Sequence, residues 1–243
     1  MSITKYIRDQ ELFKTGLNIS ESVSYTHLIK DSNQLNLNNI LLAESSSNDE
    51  LLVVNRSCFY MCPVCGYSEI TKLGNTFPQI SKTHKNHRQY SCPNEKLDLI
   101  KLGHKFQTDV VRFIIPLLTP EDKGYSKALS FLYSMLEGVS IGLGIERNDL
   151  DGILELNPKT NSYDILLFDN VPGGAGHVKR LIKREAIITS LENALYKVSQ
   201  NCCDEETSCY NCLRNYYNQS QHNKLKRKYA KEIISVLLDS LLS

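Results

Sequence analysis

The sequence Cys202-Cys203-Asp204-Glu205-Glu206-Thr207-Ser208-Cys209-Tyr210-Asn211-Cys212 places four cysteines within eleven residues. Zinc is bound by thiolates in four-coordinate tetrahedral sites, and a two-residue gap lets one tight turn direct two sulfurs at one ion. Burial of free thiols is the alternative interpretation, because free cysteine is among the most buried residue types. Burial does not explain why the cysteines cluster in a polar stretch. We therefore predict a structural, non-catalytic zinc site formed by Cys202, Cys203, Cys209 and Cys212.

Composition limits the classes of protein to which the chain can belong. It has 243 residues, 41% of them hydrophobic, which is ample for one large domain or for one domain with a small metal module. The net charge of +1 excludes a generic polyanion binder, so any nucleic-acid surface must be a local patch. No secretory leader or membrane-spanning stretch is evident, and the cysteines fall into two clusters. We expect a cytoplasmic protein without a membrane partner, whose cysteines bind metal and do not form disulfides.

The second cluster of cysteines lies in the first half of the chain, at Cys58-(x3)-Cys62-Pro63-Val64-Cys65-Gly66. A Cys-x2-Cys pair followed by glycine is typical of a zinc-ribbon knuckle. We predict a metal site that comprises Cys62, Cys65, Cys92 and either His87 or Cys58. The alternative is that only the knuckle is retained and the other candidates are surface or core residues. His84 by itself is interpreted as a solvated loop histidine.

Hydrophobic patterns predict a sheet with helices packed on it. Predicted strands cover 51–54, 110–115, 152–156 and 164–168, and predicted helices cover 126–143, 175–199 and 224–242. The fold class is α+β, or mixed α/β, with a central sheet, packed helices and zinc-stapled modules. We divide the chain into an N-terminal arm (1–50), a zinc-ribbon-like module (51–100) and a core (101–243) that carries the four-cysteine site.

A glycine-rich segment, Asp169-Asn170-Val171-Pro172-Gly173-Gly174-Ala175-Gly176-His177, follows an apolar strand and opens a predicted helix. Glycines let the backbone approach a ligand closely, and free amides at a helix start favour anions. The segment lacks the Walker A and dinucleotide-binding patterns. Two interpretations remain open: a phosphate-binding turn formed by Gly173, Gly174, Gly176 and His177, or a tight turn whose glycines serve packing.

Two groups of cations are candidates for binding nucleic acid. The first, on the helix after the glycine turn, is Lys179, Arg180, Lys183 and Arg184. The second, interleaved with tyrosines near the C-terminal cysteines, includes Arg214, Lys224 and Arg227. Cations combined with aromatic side chains can neutralise phosphates and stack on bases. A run of charges is usually a solvated face, and only the neighbouring zinc knuckle favours the nucleic-acid interpretation.

Catalysis is a minor alternative. A metal-dependent nuclease would use His104, Asp109 and Asp169, because acids and histidines can hold a divalent cation for phosphodiester hydrolysis. Their spacing matches no nuclease signature, and both aspartates flank strands, where a carboxylate can equally cap a turn or a helix. We assign no catalytic residue.

Three sequence blocks, at 103–110, 167–177 and 203–216, together resemble the MrfA zinc-binding (MZB) domain. This family occurs as the C-terminal domain of MrfA-type superfamily 2 DNA helicases and in DrmB-like anti-phage defence proteins. The resemblance covers roughly residues 50–240 and implies zinc ligation by Cys203, Cys209 and Cys212. The usual spacing of the family would put the fourth ligand at Asn201, whereas this chain has its cysteine at Cys202.

The resemblance implies a non-catalytic accessory subunit or domain of a DNA helicase or translocase system, in anti-phage defence or DNA repair. It would bind one Zn²⁺, or two if the first cluster also holds metal. No Walker A motif is present, so we expect the motor, a superfamily 2 helicase/ATPase, to lie on another chain or segment. The expected partners are DNA and that motor. A protein-interaction module that links a helicase to an effector without touching DNA is the alternative from another class.

Overall fold

The computed structural model describes residues 5–6, 23–25, 33–70 and 77–243, with the backbone alone at 5–6, 23–25, 48, 50, 52–57 and 101–106. The chain divides into two compact units. Unit 1 comprises Met1–Thr26 and Glu50–Phe106, and unit 2 comprises His27–Asp49 and Gln107–Ser243.

Nine strands and three α-helices form the described part of the chain. The strands are β1 (Lys5–Tyr6), β2 (Val23–Tyr25), β3 (Asn33–Leu37), β4 (Leu41–Met61), β5 (Ser68–Ile70), β6 (Gln79–Ser81), β7 (Lys96–Ile114), β8 (Leu150–Asn157) and β9 (Ser162–Asp169). The helices are α1 (Gly124–Leu143), α2 (Arg184–Ser199) and α3 (Arg227–Leu242). All the strand pairs described within each unit are antiparallel. The predicted fold class, a sheet with packed helices, is confirmed.

Unit 2 contains the main hydrophobic core, between the β7–β9–β8 sheet and the helices. Gly152 on β8 permits this contact, because a Cβ there would lie 2.8 Å from Leu132 Cδ1 on α1. Gly138 serves the same purpose between α1 and α2, where a Cβ would lie 2.1 Å from the carbonyl oxygen of Ser190. Close helix and strand packing therefore depends on two positions without side chains.

The apolar face of the C-terminal helix is buried in this core. Its members on α3 are Ile233, Ile234, Leu237, Leu238 and Leu241. The helix begins at Arg227, three residues later than predicted. None of the helices among the described residues is long and apolar enough to cross a membrane.

The predicted N-terminal arm requires a correction, because residues 33–49 lie in unit 2 as a β-hairpin. Leu37, Leu41 and Ala43 are buried in the main core. The turn of this hairpin is rich in asparagine, and Asn38 and Asn39 have φ of 52° and 59°. Asparagine tolerates this left-handed conformation, which tight hairpins require. Of the preceding residues, only β1 and β2 are described.

Among the residues that the structure describes, unit 1 contains a small hydrophobic core around its cysteines. Tyr60, Cys62 and Leu97 are buried in it, and Cys65 and Cys92 pack against them. The hairpin partners β5 and β6 are each only three residues long. Cysteines thus form a large part of this core.

Candidate metal centres

The four C-terminal cysteines form one cluster in unit 2, here termed the four-thiol cluster: Cys202, Cys203, Cys209 and Cys212. Their sulfur atoms all lie within 4.8 Å of one another. The Sγ atom of Cys212 is 3.9 Å from that of Cys203 and 3.8 Å from that of Cys209. A tetrahedral zinc site with Zn–S bonds of about 2.3 Å has sulfur–sulfur edges of about 3.8 Å. The cluster therefore has the dimensions of a zinc site with four thiolate ligands, with Cys202 in the fourth position.

The Cys-x2-Cys knuckle of this cluster is shaped by backbone hydrogen bonds. The carbonyl oxygen of Cys209 accepts from the N–H groups of Cys212, Leu213 and Arg214 at 3.0–3.2 Å. The Cys209 N–H donates to Cys212 Sγ at 3.1 Å. Because the turn is closed locally, it directs both sulfurs to one point, as the spacing predicts.

Arg227 is a buried cation beside the four-thiol cluster, with 3% of its surface exposed. Its Nε donates to the Val198 carbonyl at 2.9 Å, and its Nη1 donates to the Cys203 carbonyl and lies 3.7 Å from Cys203 Sγ. A buried guanidinium requires hydrogen bonds and a compensating charge, and thiolates can supply that charge. The prediction that Arg227 contacts nucleic acid is therefore wrong, because the side chain is used inside the fold.

The first cysteine cluster also comes together, in unit 1, and is termed the thiol-histidine cluster: Cys62, Cys65, His84 and Cys92. The ligating atoms lie within 4.8 Å of one another. Cys65 Sγ is 3.2 Å from His84 Nε2, and the Cys62 and Cys92 sulfurs are 3.9 Å apart. This donor set also suits tetrahedral zinc.

The fourth member of this cluster corrects the sequence-based prediction. His84 is buried, whereas His87 is exposed and Cys58 is not in the cluster. The Nδ1 atom of His84 lies 3.0 Å from the Lys82 carbonyl oxygen, which leaves Nε2 directed at the cluster. The His84 ring also stacks on Tyr67, with 4.7 Å between centroids. Ligating histidines are commonly oriented through their second nitrogen in this way.

One thiol in each cluster has a strongly shifted pKa before metal binds, and the two shifts have opposite directions. Burial raises the pKa of Cys212 to about 12. Burial also opposes ionisation of Cys62, but hydrogen bonds from the Asn94 amide and from the backbone of Cys65 and Val64 lower its pKa to about 6. Hydrogen bonds stabilise a thiolate where they reach it, and burial without them disfavours the charged form.

The glycine turn does not leave amides free for phosphate. The N–H groups of Gly173 and Gly174 donate to the carbonyl oxygens of Gln107 and Val171, at 2.6 and 2.9 Å. The next four amides donate to carboxylates: Ala175, His177 and Val178 to Asp169 at 2.7–3.0 Å, and Gly176 to Asp109 at 3.0 Å. The phosphate-binding interpretation of this turn is therefore wrong, because two internal carboxylates already occupy the amides of a would-be anion site.

This arrangement also explains the glycines. Gly173, Gly174 and Gly176 have φ of 90°, 72° and 76°, which glycine adopts without strain. A Cβ on Gly174 would lie 2.4 Å from Asp109 Oδ2. Lys179 forms an ion pair with Asp109 at 2.8 Å. Both aspartates are thus structural in this fold, which removes the basis of the nuclease alternative; the side chain of His104 lies outside the described residues.

The remaining predicted nucleic-acid residues divide into two groups. Three of them contact the protein itself: Arg184 donates to the Leu241 carbonyl, Arg214 donates to Ser208 and Thr207, and Lys224 lies 5.0 Å over the Tyr125 ring. Arg180 and Lys183 are exposed and form no ion pair within the described part of the chain. Among the predicted cations that the structure describes, this pair is both exposed and outside any ion pair, as phosphate contact requires.

Comparison with known proteins concerns mainly the second half of the chain. Residues 131–213 match the family model of the MrfA Zn-binding domain. This segment is therefore similar in sequence to that zinc-binding domain. The matched segment includes the whole four-thiol cluster and excludes the thiol-histidine cluster. The resemblance inferred from the sequence blocks is confirmed over these residues.

Two longer proteins are similar to the chain. Druantia protein DruE of Escherichia coli (strain UMEA 4076-1) is 24% identical over an alignment of 222 residues, and the match covers 79% of this chain and 12% of that protein. A crystal structure of the DUF1998 helicase MrfA bound to DNA superposes with a TM-score of 0.50 at 16% identity, over 90% of this chain and 24% of that chain. The second similarity shows a shared fold. The chain spans only 12% and 24% of the lengths of these two proteins.

Zinc is therefore the metal of the MZB segment, and the thiol-histidine cluster fits a second zinc by donor type and spacing. A metal held by all four members of either cluster would have no open position for substrate, as in structural zinc sites.

Proposed function

We propose that the chain is a non-catalytic zinc-binding domain of a DNA helicase or translocase system that acts in anti-phage defence or DNA repair. The observation that carries the proposal is the complete four-thiol cluster inside the segment that matches the MZB family. The similarity to DruE and to the fold of a DNA-bound helicase supports it. The motor would lie outside these residues, and the expected setting is the cytoplasm.

The part of unit 2 best suited to DNA contact is the pair Arg180 and Lys183. Both are exposed just before α2 begins, and neither is neutralised within the described residues. Phosphate contacts by Lys and Arg release counterions, so the resulting binding weakens steeply with salt. We propose that this pair contacts the DNA backbone.

A DNA titration at several salt concentrations tests the proposal. We expect micromolar or tighter binding at low salt, and we expect Arg180→Glu with Lys183→Glu to weaken it and to reduce the salt slope by about 1.4–1.8. The matched control is Lys123→Glu with Lys159→Glu, which changes the net charge by the same amount at two other exposed positions of unit 2. Equal affinities of the two double variants would refute this contact.

A protein-interaction module is the second candidate, and exposed tyrosines near the four-thiol cluster favour it. Tyr216 and Tyr217 are 76% and 80% exposed and meet edge to face. Tyrosine is enriched in protein interfaces. A chain that carries both zincs and binds neither single- nor double-stranded DNA at low salt would favour this candidate over the first.

A further inference from the structure

The thiol-histidine cluster closes the base of a hairpin at residues 84–92. Two of its four members, His84 and Cys92, face each other there, because the Cys92 N–H donates to the His84 carbonyl at 3.0 Å. The next pair outward, Lys85 and Ser91, forms a β-bridge. A metal held by this cluster would therefore tie together the two ends of the hairpin.

The tip of the hairpin is ordered by hydrogen bonds centred on Asn86. Its N–H donates to the Tyr90 carbonyl at 2.9 Å, and its side-chain oxygen accepts from the N–H groups of Arg88 and Tyr90 at 2.9 and 3.1 Å. Gln89 has φ of 66° and donates to the Asn86 carbonyl. The tip thus has a defined backbone before any partner binds.

The side chains that the tip exposes are basic and aromatic. Lys85, His87, Arg88 and Tyr90 are all exposed, Tyr90 by 69%. Residues 83–94 contain no carboxylate. Lys85 and Arg88 form no ion pair within the part of the chain that the structure describes, whereas the nearby Lys82 is paired with Glu69. The tip is therefore a local positive surface on a chain whose net charge is only +1.

We infer that this hairpin tip, residues 85–90, is a contact for single-stranded nucleic acid. Lys85 and Arg88 would neutralise phosphates, and Tyr90 would stack on a base. The inference rests on the proposed function in that the chain acts on nucleic acid, but it places a contact in unit 1, outside the MZB segment.

The role of the metal in this contact would be to hold the hairpin in its bound conformation before nucleic acid arrives. Binding costs free energy when a loop must be ordered, and a hairpin already fixed at its base and tip avoids most of that cost. Zinc at the thiol-histidine cluster touches no nucleic acid in this arrangement. It holds His84 and Cys92 together, so that the exposed side chains between them are presented on a rigid turn.

The test is a binding titration of the full chain with a fluorescent oligothymidine of about 20 nucleotides, long enough for an aromatic-basic site. We expect Lys85→Glu with Arg88→Glu to weaken binding at least about tenfold and to reduce the salt slope by about 1.4. Tyr90→Ser should weaken binding of the oligothymidine about fivefold or more, through lost stacking. Lys123→Glu with Lys159→Glu, which changes the same charge in unit 2, should have a much smaller effect.

The possible outcomes separate this inference from the proposed function. If the wild-type chain binds and the hairpin variant behaves like the control, the inference is overturned and the proposed function stands. If the wild-type chain binds no DNA, both fail. Binding of polyglutamate instead of oligothymidine, abolished by the hairpin variant, would overturn the inference in favour of an acidic protein partner.

Zinc content is measured on every variant. A hairpin variant that has lost zinc is replaced by Lys85→Gln with Arg88→Gln, which removes the charges without adding acids beside the thiolates. Unchanged affinity of that variant, with both zincs retained, would overturn the inference.

Discussion

The four-thiol and thiol-histidine clusters have similar dimensions but lie in very different surroundings. The four-thiol cluster is built from eleven consecutive residues and packs against the main core of unit 2, with Arg227 buried beside it. The thiol-histidine cluster gathers ligands from Cys62 to Cys92, and the described core that surrounds it comprises Tyr60, Cys62 and Leu97. Among the described residues, one metal site lies against a large hydrophobic core and the other lies within a small one.

Because of this difference, we expect the two zincs to contribute unequally to the free energy of folding. Structural zinc in small modules supplies apparent free energies of about 10–16 kcal/mol, and such modules unfold without it. Unit 2 has a large hydrophobic core, so its zinc should mainly fix the segment between α2 and α3. The described residues around the thiol-histidine cluster bury much less apolar surface, so we expect them to depend more on zinc.

The largest expected effect follows from removing one ligand at each cluster. Cys92→Ser should lose one zinc and unfold the part of unit 1 around residues 58–99, whereas Cys209→Ser should lose one zinc while α1 and α2 stay folded. Elemental analysis and limited proteolysis measure both changes. Cys58→Ser, outside both clusters, is the control and should retain two zincs. Equal protease resistance of the two ligand variants would contradict the expected difference in how strongly the two units depend on zinc.

The next effect tests which histidine belongs to the thiol-histidine cluster. His84→Ala should release one zinc, because Nε2 of His84 lies 3.2 Å from Cys65 Sγ. His87→Ala should keep both zincs, because that side chain is exposed on the hairpin tip. The zinc content of the two variants decides the point, and loss of zinc from His87→Ala alone would restore the sequence-based prediction.

A smaller effect is expected from Arg227→Met. Two carbonyl acceptors, those of Val198 and Cys203, would lose their donor, and each buried unsatisfied group costs about 1–3 kcal/mol. Groups that support metal ligands typically change metal affinity by about 10–100-fold. Competition with a chromogenic chelator should therefore show weaker zinc at the four-thiol cluster and unchanged zinc at the thiol-histidine cluster. Arg214→Met, beside the same knuckle, is the control.

The smallest effect is a difference in the pH dependence of zinc uptake. In the metal-free protein the pKa of Cys62 is lowered from 9.0 to about 6, so its contribution to stability is present above pH 9 and is lost as the pH falls through 6. The pKa of Cys212 is raised from 9.0 to about 12, so its thiol stays protonated and metal must displace the proton.

Between pH 7 and 9, zinc affinity should therefore rise more steeply with pH at the four-thiol cluster than at the thiol-histidine cluster. Chelator competition on Cys92→Ser and on Cys209→Ser isolates each site in turn. Parallel pH profiles for the two variants would contradict the assignment of these thiol acidities.

Local spacing was enough to predict the four-thiol cluster. Its four ligands lie within one turn-rich segment, so the chain has few ways to separate them. The same holds for α1 and α3, whose apolar stripes depend only on helical periodicity. The thiol-histidine cluster was predicted to three of its four ligands. The choice of His84 depends on which residue the hairpin places opposite Cys92, and strand register is not visible in the spacing.

The surroundings of the cations and of the glycine turn, in contrast, could not be predicted from local sequence. From the sequence, Arg227 and Arg180 are equivalent basic residues near candidate sites, yet one is buried at the four-thiol cluster and the other is exposed. The glycine turn has the composition of an anion site, but Asp109 and Asp169 occupy its amides. Asp109 comes from β7, far away in the chain, and no local pattern reveals that contact.

The sequence by itself determined the type of metal ligand, the resemblance to a zinc-binding domain and the class of fold, because thiolate spacing and hydrophobic periodicity act over a few residues. The tertiary structure alone decided the fourth ligand of the thiol-histidine cluster and which cations and amides remain free for a partner. Those features depend on strand register and on contacts between distant segments, where burial makes a charged or polar group pair with whatever the fold brings near it.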